Sequence, residues 1–234
     1  MSKTWALVPL KTLDRAKQRL APALSEELRK GLVIAMAQDV LSALEESESI
    51  EKILLVSSEH EAGRMLKGQK LDIFYSDPDE GLNQELEFAA AYARAQGADR
   101  VLIVHGDLPL LNAQSIEHFV QDIPQNAARA AGCKNGTGTN LLLSSLPLRI
   151  RLKFGRNSLQ QFVDEASACR LRLETVIDER LGMDIDIPED LFMLMKQGDN
   201  VITIGHATQA FLGVLATSPV PESKITHYES NPAR

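Results

Sequence analysis

Residues 100–111 read Arg-Val-Leu-Ile-Val-His-Gly-Asp-Leu-Pro-Leu-Leu. Arg100 to His105 is an apolar run without polar alternation. That pattern suits a central strand, buried on both faces and parallel to its neighbours. An aspartate at the carboxyl tip of such a strand, Asp107, is costly unless something pairs its charge. A divalent cation is one partner, since Mg²⁺ favours one or two carboxylates plus substrate phosphates. A cap on the following turn is the other reading of Asp107. His105 reads as a packed or hydrogen-bonded histidine rather than a ligand.

The same kind of strand recurs to either side. Trp5–Leu10 (WALVPL), Lys52–Ser58 (KILLVSS) and Leu71–Tyr75 are short apolar runs. Ser25 caps a helix whose apolar residues Leu28, Leu32, Ala35, Met36, Val40, Ala43 and Leu44 are spaced by three and four. Glu59–Lys67 reads as a short helix. Another helix runs from Leu82 to near Gly97, and Asn112 caps the next. Downstream, Ala127–Cys133 and Thr139–Ser144 pair as strands around the loop 134–138. Ser158–Ala166 is helical, Leu171–Ile177 is a strand, and Met183–Ile187 alternates as a strand would. Pro188 is well placed to open a last helix. Strands alternating with helices define the fold class: α/β, a single domain with a mixed, mostly parallel sheet flanked by helices. The domain is expected over residues 1–198, with a partly disordered C-terminal extension over 199–234.

Composition narrows the function classes. The chain has 234 residues, 44% hydrophobic and 24% charged, with a net charge of -7. Such a charge argues against a nucleic-acid partner, which usually meets a basic surface. Cys133 and Cys169 are far apart and outside any CxxC pattern, so neither a disulfide scaffold nor a cysteine zinc site is expected. No apolar run is long enough for a membrane span, and the N-terminus lacks the features of a signal peptide. A cytoplasmic location is expected.

Four places could carry chemistry. After the first strand, Lys11, Arg15, Lys17 and Arg19 put four cations within nine residues. Ligands of open α/β sheets bind at the carboxyl ends of strands, and cations there would neutralise a triphosphate and a leaving diphosphate. A solvated basic turn is the alternative. No glycine-rich phosphate loop is present. Second, Asp184 and Asp186 are two apart, so on a strand both point to one face, where they repel without a cation. Glu189 and Asp190, just beyond, are explained by the helix N-terminus they begin. Third, Asn135-Gly-Thr-Gly-Thr-Asn140 and Phe154-Gly-Arg-Asn-Ser158 are small-residue loops suited to phosphate or carboxylate oxygens, or else a hairpin turn and an N-cap. Fourth, Asn83 offers the donor and acceptor that base reading requires, or a helix cap.

Taken together, VPLKTLDRAKQRL, GLNQEL, HGDLPLL, NGTGTN, FGRNS and DIDIPEDL resemble, in order, the phospholactate guanylyltransferase family. That family includes phosphoenolpyruvate and 3-phosphoglycerate guanylyltransferases of coenzyme F(420) biosynthesis. The resemblance runs from about residue 4 to 195. It implies a Rossmann-like nucleotidyltransferase domain of the glycosyltransferase-A type, with GTP and Mg²⁺. Its metal carboxylates fall on Asp107, Asp184 and Asp186, and its phospho-acid contacts on Thr139, Gly155 and Ser158. It puts Lys11, Lys17 and Arg19 on the GTP phosphates, with Lys17 and Asp107 as the catalytic pair, and Asn83 on guanine. His105-Gly106 replaces an apolar residue and alanine that are more usual before the aspartate. Asn135 stands where an aspartate is common.

The implied reaction joins GMP from GTP to a phosphorylated three-carbon acid: phosphoenolpyruvate, 2-phospholactate or 3-phosphoglycerate. A homodimer is compatible with this reading. Two rivals remain: a nucleotidyltransferase of the same fold acting on a sugar phosphate or molybdopterin, and a nucleotide-binding protein without catalysis.

Overall fold

The computed structural model describes residues 2–13, 16–77, 79–124, 126–196 and 203–217. Among them lie strands β1 (Thr4–Pro9), β2 (Ile50–Ser57), β3 (Leu71–Tyr75), β4 (Arg100–Val104), β5 (Ala127–Gly132), β6 (Thr139–Ser145) and β7 (Arg172–Val176). They form one sheet in the order β3-β2-β1-β4-β6-β5-β7. The β3, β2, β1 and β4 strands pair in parallel, whereas β6 is antiparallel to both β4 and β5. The β7 strand then pairs in parallel with β5.

The helices are α1 (Glu26–Glu46), α2 (His60–Met65), α3 (Leu82–Ala95), α4 (Ala113–Val120), α5 (Ser158–Ala168), α6 (Glu179–Gly182), α7 (Pro188–Lys196) and α8 (His206–Thr217). Two of the expected caps are formed. The Ser25 side chain accepts from Leu28 N–H. Asn112 and Ser115 make a reciprocal capping box on α4.

Alternation along the central strands divides the core. Ala6, Val8, Leu102 and Val104 face one layer, with α1, α4 and α7. Trp5, Leu7, Val101 and Ile103 face the other, with α3 and α5. Both faces of β1 and β4 are therefore dry, which is why their sequences run apolar without a break.

One finding differs from the sequence expectation. Met183–Ile187 belongs to none of the strands. Its alternation is real, since Met183 and Ile185 are buried while Asp184 and Asp186 are half-buried. A burial alternation needs only one side facing the core, not a ladder of backbone bonds. Here the amides of Asp186 and Ile187 are satisfied by the Asp190 carboxylate instead, at 2.8 and 3.0 Å.

Residues 203–217, within the C-terminal extension, carry α8. They pack into the same body. Asp39 of α1 accepts from the amides of Ala207 and Thr208, both at 2.8 Å, and so caps α8 from a remote position. Gly205 N–H donates to the Pro109 carbonyl, and Phe211 lies against Gly31 of α1. Residues 199–202 and 218–234, where disorder is expected, lie outside the described residues.

Candidate active site

The chain runs outward from β1 through β2 to β3, then returns to the other side of β1 as β4. At this switch the loops after β1 and β4 part and leave a crevice at their carboxyl ends, the usual ligand position in open α/β sheets. The crevice is a cleft of about 620 Å³ whose walls include Lys11, Lys17, Arg19, Leu82, His105, Asp107 and Asp186. The sequence-predicted cations and carboxylates thus meet in one place. Arg15, the fourth cation, lies outside the described residues.

Lys17 organises this cleft. Its ammonium bonds both Asp107 and Asp186, the latter at 2.6 Å. Its backbone is left-handed, at φ 49° and ψ 45°. A non-glycine residue adopts that region at a cost of about 1–2 kcal/mol, which the two ion pairs offset. Burial works against the charge on Lys17, but Asp107 and Asp186 overcome it and hold its pKa well above the ordinary lysine value. Burial likewise opposes the charge on Asp107, and Lys17 and then His105 reverse that and hold its carboxyl below the usual range. Asp184 behaves oppositely. Burial, then the charge of Asp107, raises its pKa. His105 is pushed below the ordinary imidazole value, by burial first, with the Asp107 carboxylate acting against it.

One oxygen of Asp107, Oδ1, is buried and has no hydrogen-bond partner. An ammonium already stands between this carboxylate and Asp186. The place is therefore one that takes a cation, and its donors are hard oxygens of the kind Mg²⁺ prefers. Among the described residues no three His, Cys, Asp or Glu side chains form a ready-made metal cage. Asp184 stands to one side, near Asn140 Nδ2 at 3.5 Å. The arrangement fits an ion held by one or two carboxylates and completed by phosphate oxygens better than one enclosed by protein.

Thr139, Gly155 and Ser158 come together beside the cleft rather than in its wall. Antiparallel β6 starts at the edge where β4 ends, so Thr139 arrives next to His105, whose amide bonds the Asn140 carbonyl at 3.0 Å. Ser158 Oγ donates to Thr139 Oγ1 at 3.0 Å, and both side chains are buried. Gly155 has φ +134°, a conformation that favours glycine, and Asn157 at φ 55° leads into α5 without a side-chain cap. The start of α5 thus has no side-chain cap, and the Ser158 amide bonds the Gly155 carbonyl at 3.2 Å.

Asn83 is engaged with the 154–158 loop. Its Nδ2 donates to the Phe154 carbonyl at 3.1 Å, and its Oδ1 accepts from the Phe154 amide at 2.8 Å. One donor and one acceptor position of the Asn83 amide are thus used on the backbone of Phe154, and one of each remains. Asn83 pins the start of the 154–158 loop to α3, and the Phe154 ring packs on His105 with centroids 5.2 Å apart.

Sequence reasoning missed Asp190, Lys134 and Asn140. Asp190 was explained as a helix-start residue together with Glu189. Only Glu189 is exposed; Asp190 is buried and ion-paired to Lys134. Its position four residues after Asp186 is a signal that could have been used, because a carboxylate there reaches back to preceding amides. Lys134 carries no such signal, being 56 residues away.

Comparison with known proteins agrees with this geometry. The family model described as guanylyl transferase CofC like matches residues 4–222. A phosphoenolpyruvate guanylyltransferase of Sphaerobacter thermophilus is 32% identical over 188 residues, covering 80% of this chain and 90% of that one. A 2-phospho-L-lactate guanylyltransferase of Methanobrevibacter smithii is 26% identical over 226 residues, covering 97% and 99%. In fold, a nucleotidyl transferase of Methanothermobacter superposes with a TM-score of 0.58 at 18% identity, over 92% of this chain and 100% of that one. A cytidylyltransferase of Leptospira borgpetersenii gives 0.59 at 14% identity, with full coverage of both chains. The fold is that of nucleotidyltransferases, and the match of the family model spans the cleft, the 154–158 loop and the acidic segment alike. The chain belongs to the CofC-like guanylyl transferase family.

Proposed function

We propose that this protein transfers GMP from GTP to a phosphorylated three-carbon acid and releases diphosphate, in coenzyme F(420) biosynthesis. The observation that carries the reading is the ammonium of Lys17 held between Asp107 and Asp186 at the switch point of the sheet. The names of the curated relatives support the acceptor class.

A phosphate oxygen of the acid attacks the α-phosphorus of GTP. A new P–O bond forms, and the bond to the β-phosphate oxygen breaks. The attacking phosphate is already anionic near neutral pH, since its second pKa is about 6. No general base or covalent nucleophile is required. The obstacle is repulsion between two highly charged phosphates, which calls for positioning and fixed positive charge. Lys11 and Arg19 stand exposed at the cleft, free to meet the triphosphate. Lys17 is placed to exchange carboxylate partners for phosphate oxygens. Asp107 and Asp186, with Asp184 beside them, would hold Mg²⁺, which supplies charge neutralisation to the phosphates. Thr139, Gly155, Ser158 and the first turn of α5 would receive the acid. His105, whose ring packs on that of Phe154, joins the cleft to the 154–158 loop.

The test is incubation with GTP and Mg²⁺ and, separately, phosphoenolpyruvate, 2-phospho-L-lactate, 3-phosphoglycerate and a sugar phosphate, read by mass spectrometry. A guanylylated three-carbon acid is expected. Guanylylation of the sugar phosphate alone, or no product in any arm, would overturn the proposal.

A further inference from the structure

The segment that carries Asp184 and Asp186 has no strand to hold it, yet both carboxylates must stay at the cleft. Its tethers come from the β5–β6 hairpin. The Lys134 amide donates to the Gly182 carbonyl at 2.8 Å. Asn140 Nδ2 donates to the Leu181 carbonyl at 3.0 Å. Gly182 sits so close to the hairpin that a Cβ there would lie 3.3 Å from the Gly132 carbonyl oxygen. These contacts fix residues 181 and 182, but Asp186 lies four residues further on.

Asp190 covers that gap. Its Oδ2 accepts from the amides of Asp186 and Ile187, and its Oδ1 takes the Lys134 ammonium from the hairpin. The side chain is 3% exposed, against 30% for that of Lys134. A carboxylate that served only as a helix cap would work as well in water and would need no remote partner. Burying it costs free energy that the ion pair and the two amides must offset. Burial acts to raise the Asp190 pKa, but Lys134 and the amides of Asp186 and Ile187 hold it below the usual range.

We infer that Asp190 and Lys134 form a positioning pair that sets the place of Asp186 in the cleft and ties it to the hairpin that also carries Thr139. The inference rests on the proposed function only in giving Asp186 a role toward a divalent cation. Asp190 touches neither substrate nor cation. It acts through the Asp186 backbone, and Lys134 acts through Asp190.

Calorimetric titration of Mn²⁺ into the protein with bound GTP tests this without turnover. Asp190→Ala should weaken Mn²⁺ binding by about tenfold, the effect of losing one or two charge-assisted hydrogen bonds. Asp190→Asn keeps an acceptor for the two amides and loses only the ion pair, so it should recover most of that loss. Lys134→Met leaves the Asp190 carboxylate buried without its cation, so its loss should fall between those of Asp190→Asn and Asp190→Ala. In steady state, the deficit should appear in kcat more than in the KM for GTP. Unchanged Mn²⁺ affinity in a folded Asp190→Ala protein would overturn the inference and leave a plain helix cap. If Asp190→Ala does not fold, Lys134→Met decides: an unchanged affinity overturns the inference, and a twofold or greater loss supports it. Asp186→Asn serves as the control. If it too leaves Mn²⁺ binding unchanged, the proposed cation site fails, which is a different result from failure of the positioning pair alone.

Discussion

In the parallel half of the sheet, β1 and β4 end at one edge, so the loops that follow them reach the cleft by topology alone. Lys17 and Asp107 meet although they are 90 residues apart, because two neighbouring parallel strands deliver them. In the other half nothing so regular operates. Thr139 reaches the same edge because β6 reverses direction, and Asp186 because Asp190, Lys134 and Asn140 hold an irregular segment in place. The first half places its residues through backbone ladders, and the second through side chains. A backbone ladder tolerates most single substitutions, whereas a side-chain tether is lost with one.

The largest effect should come from the parallel half. Asp107→Asn is expected to lower turnover by about a hundredfold or more, about 3 kcal/mol of transition-state stabilisation. The measurement is diphosphate release at saturating Mg²⁺. Because the Asp107 carboxylate is paired with the buried Lys17 ammonium, the melting transition should fall as well, so folding of the variant is checked by circular dichroism before turnover is compared. Near-normal turnover would break the assignment of this edge to catalysis.

Next comes the contact that binds α8 to α1. Asp39→Ala strands two helix amides and should cost about 2 kcal/mol, or about 4–8 °C in Tm for a domain of this size. Calorimetry checks it. If Tm does not move, α8 is docked by its apolar face alone.

Asn83→Ala probes a tether of the second half. Freeing Phe154 should raise the KM for the acid by about tenfold, equivalent to about 1.4 kcal/mol, with the KM for GTP little changed. The opposite pattern would return Asn83 to the nucleotide.

The smallest effect is expected at the sheet edge. Glu174 accepts from Arg129 at 2.7 Å, and that hydrogen bond is the main reason its carboxyl lies below the ordinary value of 4.5. A depressed carboxyl contributes stability above its unfolded pKa and loses it as pH falls through the folded value. Glu174→Gln should therefore cost at most about 1 kcal/mol at pH 7. The gap between variant and native protein in urea denaturation should shrink as pH falls below 4.5. A gap that persists at low pH would mean that packing, not charge, joins β5 to β7 at this point.

The legible parts of the site were those whose signal is local. Asp107 follows an uninterrupted apolar strand, and Lys11, Lys17 and Arg19 follow another, so a strand end and a charge were readable side by side. Asp184 and Asp186 were legible as a same-face pair, but the strand assigned to them was not formed, because alternation reports burial on one side and not hydrogen bonding. Asn83 is a related case. An asparagine at a helix start offers the same donor and acceptor to a base as to a peptide, and only the folded chain shows Phe154 in its reach.

By itself the sequence determined the seven strands of the sheet, the dry faces of β1 and β4, and which residues carry charge at strand ends. These follow from periodicity and from the cost of burying a polar group, both written in near neighbours. Tertiary structure alone decided that β6 reverses, that Lys17 stands between Asp107 and Asp186, and that Lys134 pairs with the Asp190 carboxylate that takes the Asp186 amide. Each of these depends on groups dozens of residues apart meeting in a buried, weakly screened place. There, a single ion pair or amide contact outweighs local preference.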